Sequence, residues 1–206
     1  DTAMGGKLPL VKAPPIFNRP RIASLLVQSG AYADLLVGTG DVRDPLNPGA
    51  EFETNYFYAV HDFNQQPHGS NNDGRALWIN QFPRIGMVGT RYEQVVSEPA
   101  VLSGCIVVAT FTPPVTGASC SMEGDTTLYG FSPLTGDLQP CLTYISPSPY
   151  AGQATSVIKM PGVGIPSDLV VINDNVYLST SRDGLTRAPV RVPPKPGAVR
   201  SYRRIK

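Results

Sequence analysis

The sequence predicts an all-β fold, a partial or chain-completed β-propeller of antiparallel blades with long inserted loops. Three observations carry this. Glycine and proline number 20 and 21 of the 206 residues; both are poor in helix interiors and common in turns, and no stretch keeps a helical period long enough to sustain a helix. Short apolar, β-branched or aromatic segments alternate with clusters of Gly, Pro, Asn and Asp. The third observation is an internal repeat. LLVGTGD around Thr39, IVVATFT around Thr110 and VYLSTSRDG around Thr180 recur at intervals of about 70 residues, followed by the partner segments FYAVHD, LYGFSPLTG and LTRAPV. A propeller blade needs only about 40–50 residues, so the excess goes into loops. Three units are fewer than the four of the smallest ordinary propeller. The remaining blades would come from another chain or from further polypeptide.

Residues 1–24 read as an extended N-terminal arm, because Pro9, Pro14 and Pro15 oppose helix there. Strands are expected at 22–28 and at 34–39, DLLVGT, separated by the turn Ser29-Gly30. Residues 40–54 form a loop rich in Pro, Gly and acids. The aromatics of NYFYAVH, 55–61, alternate as a half-buried strand requires. After a polar loop, 62–75, a strand at 76–82 carries Trp78, the one tryptophan. Tyr56, Phe57, Tyr58 and Trp78 read as packing residues rather than a ligand platform. The middle unit runs from an approach strand, 94–96, through a turn at 97–99 and a short strand at 100–102 to the apolar strand 105–111. Its partner is 127–131, followed by the turn PLTGD at 133–137. One short strand falls within 141–150, and others at 154–160, 167–172, 176–181 and 185–192, with a short terminal strand at 199–205. The whole chain, 1–206, reads as a single domain.

The net charge is +1, from 17 basic and 16 acidic residues. That balance leaves no electrostatic footprint for nucleic acid, and the basic end around Arg203 and Arg204 reads as a solvated tail. No apolar run of about 18 residues exists to form a transmembrane helix. Starting at Asp1 without an initiator Met, the chain reads as a processed protein or as a piece of a longer one.

Three cysteines allow one disulfide with one left over. Cys105 lies in the apolar strand and reads as a small buried hydrophobe. Cys120 and Cys141 flank the hairpin 127–137, and a bridge between them would staple that insertion in an oxidising compartment; in a reducing one they stay thiols. Only His61 and His68 offer imidazoles and no C-x-x-C occurs, which argues against zinc or attached haem. Asp41, Asp44 and Asn47 crowd one loop and are the oxygen ligands a calcium ion would use. Their spacing does not form an EF-hand-like cage, and solvated turn chemistry is the simpler account. No other cofactor is expected.

The run YEQVVSEPAVLSGCIVVATFTPP, a cysteine-containing loop and TLYGFSPLTGDL together resemble the C-terminal propeller of the PilC/PilY family of type IV pilus tip-associated proteins. Val95-Val96-Ser97-Glu98-Pro99 and Thr110-Phe111-Thr112-Pro113-Pro114 match the family pattern, as do Cys120, Leu128-Tyr129 and Thr135-Gly136. Upstream, Leu36-Val37-Gly38-Thr39-Gly40 and Phe57-Tyr58-Ala59-Val60-His61-Asp62 are similar to it as well. The likeness spans residues 25–206. It implies an extracellular or outer-membrane-associated protein at the pilus tip, with minor pilins or other filament subunits as partners and a host or surface receptor as a further one. Some members bind calcium through a D-x-D-x-D-G loop, which this sequence lacks.

Two other readings compete with a pilus-associated binding module. One is a structural subunit of an extracellular filament, its propeller completed by another chain. The other is a quinoprotein-like propeller enzyme, but the candidate acids, Glu93, Glu98, Glu123, Asp125 and Asp168, are scattered along the chain, and His61 beside Asp62 reads as a strand-end histidine. The expectation is a protein that binds rather than catalyses.

Overall fold

Each sequence repeat folds into an antiparallel sheet. The computed structural model describes residues 16, 18–41 except 28–29, 43, 54–62, 76–82, 84–85, 91–102, 104–114, 124–145 and 147–192. All regular elements among them are strands. Blade 1 is a meander of β1 (Arg21–Val27), β2 (Gly30–Gly38), β3 (Tyr56–Asp62) and β4 (Ala76–Gln81), hydrogen-bonded in that order. A small ribbon follows, β5 (Arg84–Ile85) with β6 (Arg91–Tyr92), too short to leave a periodic signal in sequence.

In blade 2, β7 (Gln94–Val95) and β8 (Ala100–Leu102) share one edge of β9 (Cys105–Thr112), and β10 (Asp125–Phe131) takes the other. The chain then makes a hairpin, β11 (Leu142–Tyr144) and β12 (Ala154–Thr155), before β13 (Val157–Met160) completes blade 2 against β10. Blade 3 comprises β14 (Val170–Ile172), β15 (Asn175–Thr180) and β16 (Gly184–Arg191), with the β11–β12 hairpin added beyond β16. The second strands of the three blades, β2, β9 and β15, bring the repeated Thr39, Thr110 and Thr180 to equivalent buried positions. The arm expected over 1–24 does not take in 21–24, which pair with 33–36 inside blade 1.

Why β9 is apolar at nearly every position follows from where it lies. Ile106 and Val108 pack toward blade 1, in a cluster with Leu36, Phe57, Trp78, Phe82 and Phe131. Cys105, Val107 and Ala109 pack the other way, with Leu142, Val176, Leu178 and Val190 of blade 3. Side chains alternate along a strand, so one covered on both faces must be apolar throughout. All eight residues of β9 are buried.

The segment 154–160, read from sequence as one strand, is two strands in two blades. The break is Ser156. Its carbonyl accepts a hydrogen bond from Gly130 N–H at 2.8 Å, and the Thr155 hydroxyl donates to Val157 O at 3.0 Å. Blade 2 thus lends a hairpin to blade 3 and takes its own last strand back one residue later.

The cysteine pairing is a correction to the sequence reading. The disulfide joins Cys105 to Cys141, with Cα atoms 6.1 Å apart. Cys141 is therefore not available to Cys120, which lies outside the described residues. The turn after β10 folds back through the Phe131–Leu138 bridge, and Gln139 N–H bonds Gly130 O at 2.9 Å. That return lays Cys141 over Gly130, where a Cβ would stand 2.7 Å from its Sγ. The absence of a side chain at Gly130 makes room for the bond. Cys105 is a core residue as expected, but a core strand end can also be a tether.

Candidate functional site

The polar groups of the molecule gather where the blades meet. Between blades 1 and 2, the Thr39 hydroxyl accepts from Tyr56 N–H at 2.8 Å and donates to Asn55 Oδ1 at 3.1 Å. Asn55 Nδ2 in turn donates to the carbonyl of Glu93 at 3.0 Å. The Glu93 carboxylate is buried, with 2% of its surface exposed. It accepts from the Thr110 hydroxyl and, at 3.0 Å, from the Tyr129 hydroxyl. Such a chain satisfies every member while tying four strands together.

Burial is the main influence on Glu93 and pushes its carboxyl above the ordinary range; the bonds from Thr110 and Tyr129 and the positive charge of Lys159 offset only part of this. Burial, with the Glu93 charge and bond behind it, pushes the Tyr129 phenol far upward, so it stays a neutral donor. An acid whose folded-state pKa is raised holds its proton better folded than unfolded. Its contribution to stability is present at low pH and is lost as pH rises from the usual value of about 4.3 through the folded pKa. Glu93→Gln should abolish that loss. Unfolding midpoints measured across this window should fall with pH for the wild type relative to the variant. Parallel pH profiles would contradict the assignment. Enclosed by two hydroxyls, this carboxylate has the geometry of a junction and not of an exposed base.

A second set of contacts links the edge strands that open each blade. Asn18 Nδ2 donates to Val95 O at 2.6 Å, and Arg21 pairs with Glu98 at 3.3 Å. Glu98 N–H donates to Asp168 Oδ1 at 2.8 Å, just ahead of β14. Blades 1, 2 and 3 are joined in sequence along this seam. Of the other scattered acids, Asp125 accepts from Gly162 N–H at 3.0 Å, while Glu123 lies outside the described residues.

The motifs that carried the sequence resemblance turn out to be joints. Ser97, in VVSEP, sits where the edge strand leaves β9 between β7 and β8. Its hydroxyl donates to Ala109 O at 3.1 Å and accepts from Ala109 N–H at 3.2 Å, replacing the missing ladder bonds. The turn after β10 is clamped by blade 1: Trp78 Nε1 donates to Pro133 O at 3.1 Å and Asn80 Nδ2 to Gly136 O at 2.6 Å. Gly136 has φ +72°, and a Cβ there would lie 2.5 Å from the Trp78 ring. Gly136→Ala should therefore cost at least about 1–2 kcal/mol, from backbone strain and displacement of the indole. Chemical denaturation with tryptophan fluorescence reads both effects at once.

Of the calcium candidates, only Asp41 lies among the described residues. Asp41 Oδ1 accepts from Arg43 N–H at 3.0 Å, and its carboxylate pairs with the Arg43 guanidinium at 3.3 Å. Asp44 and Asn47 lie outside the described residues, as does the side chain of His61. No group of three metal-ligating side chains occurs among those described. Sequence reasoning missed Ser97, the Trp78–Gly136 clamp and the Arg21–Glu98–Asp168 seam, because each joins residues far apart in the chain; only the shared order of the motifs hinted at them.

No protein-family model matches the chain, and no curated protein matches it. Among solved structures, it is similar to the C-terminal domain of PilY1 from Pseudomonas aeruginosa, with a TM-score of 0.51 at 16% identity over 86% of this chain. The match takes in 45% of the PilY1 domain, so the chain spans less than half of that domain's length. BamB from Moraxella catarrhalis matches over 84% of this chain and 58% of its own, with a TM-score of 0.25 at 14% identity, too weak a likeness to argue from. What this chain shares with the PilY1 domain is fold: antiparallel blades of a β-propeller.

Proposed function

We propose that this chain is a propeller module of a type IV pilus-associated surface protein of the PilC/PilY kind, supporting pilus assembly or adhesion by binding. The observation that carries this reading is the fold likeness to the PilY1 C-terminal domain over 86% of the chain. The sequence resemblance points the same way through other data, the order and spacing of VVSEP, TFTPP and LTG. A location outside the cytoplasm agrees with the Cys105–Cys141 disulfide, since such bonds persist in oxidising compartments. A binding role without catalysis agrees with the acids: Glu93, Glu98, Asp125 and Asp168 all take part in contacts that join strands or blades. Minor pilins are the partners this reading names, with a receptor on a host or other surface as the adhesive target.

Filaments sheared from cells that make the protein provide the test. Mass spectrometry should recover this chain together with pilins. Its absence from the filaments, with export intact, would refute the reading. The second reading, a structural subunit whose propeller another chain completes, is favoured by the exposed aliphatics Ile22 and Ile79 of blade 1 and Val170, Ile172 and Leu185 of blade 3.

A further inference from the structure

The consecutive residues Glu93, Gln94 and Val95 stitch blade 1 to blade 2. Glu93 O accepts from Asn55 Nδ2 at 3.0 Å, Gln94 Oε1 from Asp41 N–H at 2.8 Å, and Val95 O from Asn18 Nδ2 at 2.6 Å. Val95 N–H donates in return to Thr39 O at 3.0 Å. All three residues are buried, and the approach is close: a Cβ on Gly38 would stand 2.3 Å from the Val95 side chain. On the side of blade 2, Gln94 and Val95 pair with Phe111 and Thr110 of β9. The Glu93 side chain completes the attachment, reaching Thr110 of β9 and Tyr129 of β10.

The hydrogens around that carboxyl decide which of its forms fits. Tyr129 Oη meets Glu93 Oε2 at 3.0 Å, Thr110 Oγ1 meets Glu93 Oε1, and Thr110 Oγ1 also meets Thr127 O at 3.2 Å. A carboxylate and a carbonyl only accept, and each hydroxyl carries one hydrogen. With Glu93 ionised, the two hydroxyls cannot supply all of these contacts, so Thr110 satisfies either Glu93 or Thr127. With Glu93 protonated on Oε1, the acid donates to Thr110 Oγ1, Thr110 donates to Thr127 O, and Tyr129 donates to Oε2. Every contact then holds a hydrogen. Burial favours the same form, because it penalises the charge. Among the described residues, β10 brings the neutral Tyr129 to this carboxyl and β13 brings the positive charge of Lys159, which favours ionisation. From β9 it meets Thr110, and blade 1 reaches the segment through the uncharged Asn18, Thr39 and Asn55. The charges beside those contacts in blade 1, Asp41 and Arg43, pair with each other.

We propose that Glu93 is a proton-operated latch between blades 1 and 2. Protonated, it seats residues 93–95 on β9 and β10 and holds blade 1 in place. Ionised, it leaves the junction one hydrogen short around a buried charge, and blade 1 opens from blade 2 more often. The proton is exchanged with water, and no other group is consumed. The interface of blades 2 and 3 is unaffected, being held by apolar packing and the Cys105–Cys141 bond. The latch is independent of the pilus reading.

A carbon-13 NMR titration of the side-chain carboxyls in the 206-residue chain is the first arm of the test, with the Glu93 resonance identified by its absence from Glu93→Gln. It should titrate above the ordinary value of about 4.3. Amide exchange, corrected for the intrinsic effect of pH, reads the junction itself. As pH rises through the Glu93 midpoint, protection of the Val95 and Asp41 amides, which bond across the junction, should fall at least about tenfold, as expected for the loss of one buried hydrogen bond. Amides bonded within Asn175–Thr180 of blade 3 should keep theirs. In Glu93→Gln, whose amide nitrogen can donate to Thr110 as the acid does, Val95 and Asp41 should stay protected throughout. Tyr129→Phe removes a donor that favours the ionised form, so the carbon midpoint and the exchange transition should move to higher pH together. Four results would each overturn the latch: a midpoint at or below the ordinary value, a carboxyl that does not titrate while the chain is folded, a loss of protection in Asn175–Thr180 as large as at Val95, or a Tyr129→Phe variant in which the two transitions separate.

Discussion

Replacing Cys105 or Cys141 with alanine should lower stability by about 4 kcal/mol, the chain-entropy value for cross-linking residues 36 apart. In a protein of this size that corresponds to a fall in melting temperature of about 10 °C. The bond matters beyond its loop. It fixes the start of β9, at the centre of the molecule, to the residue that leads into β11, and β11 with β12 forms the outer edge of blade 3. Loss of the bond should therefore show first in blade 3, as faster hydrogen exchange along Gly184–Arg191. Cys120→Ala should leave the melting temperature unchanged. A non-reducing peptide map should contain a Cys105–Cys141 linked peptide, and a Cys120–Cys141 peptide in its place would contradict the arrangement.

Phe57→Ala should cost about 3–5 kcal/mol, the usual range for deleting a buried aromatic ring. Phe57 is fully buried on the face of blade 1 that packs against blade 2. Its ring centroid is 5.4 Å from that of Trp78 and 5.5 Å from that of Phe131, so it joins the two blades through aromatic contacts. Tyr129 stacks on Phe131 at 5.8 Å and meets Phe82 at 5.3 Å, extending the cluster. The cavity would open beside the Trp78 clamp, and urea unfolding followed by tryptophan fluorescence should register both the lower midpoint and an altered native signal. Tyr56→Ala, one residue away and on the opposite face, should cost well under half as much. Equal costs would mean that the faces of β3 are not distinguished in the way described.

The strands were legible in the sequence because their signals are local. Alternation in NYFYAVH, the β-branched run of β9 and the turns at Asn173-Asp174 and Gly184 each report on neighbours in the chain. Both asparagine and aspartate at that first turn take positive φ, 48° and 65°, as a tight hairpin requires. The repeat was legible for the same reason, and its three threonines occupy equivalent buried sites. What escaped was long-range. ATSVIKM has an unbroken strand pattern, yet Ser156 divides it between two blades, since the pairing partner of each half is set by distant strands and not by its own composition. The cysteine pairing was misread because Cys105 was judged by its apolar neighbours, while the return of the chain over Gly130 decided the matter. The seam Arg21–Glu98–Asp168 could not be read at all, as its members are separated by about 70 residues each and belong to no local pattern.

Native-state hydrogen exchange across the 206-residue chain is the most direct measurement of the central claim, that blade 2 is the middle sheet with both faces covered by its neighbours. The amides of Cys105–Thr112 bonded within the sheet should be the slowest to exchange, opening only on global unfolding, while those of Ala76–Gln81 and Val170–Ile172, on edge strands, exchange by local opening. Protection of Cys105–Thr112 no greater than that of the edge strands would contradict the stacked-blade arrangement and the functional reading that rests on it.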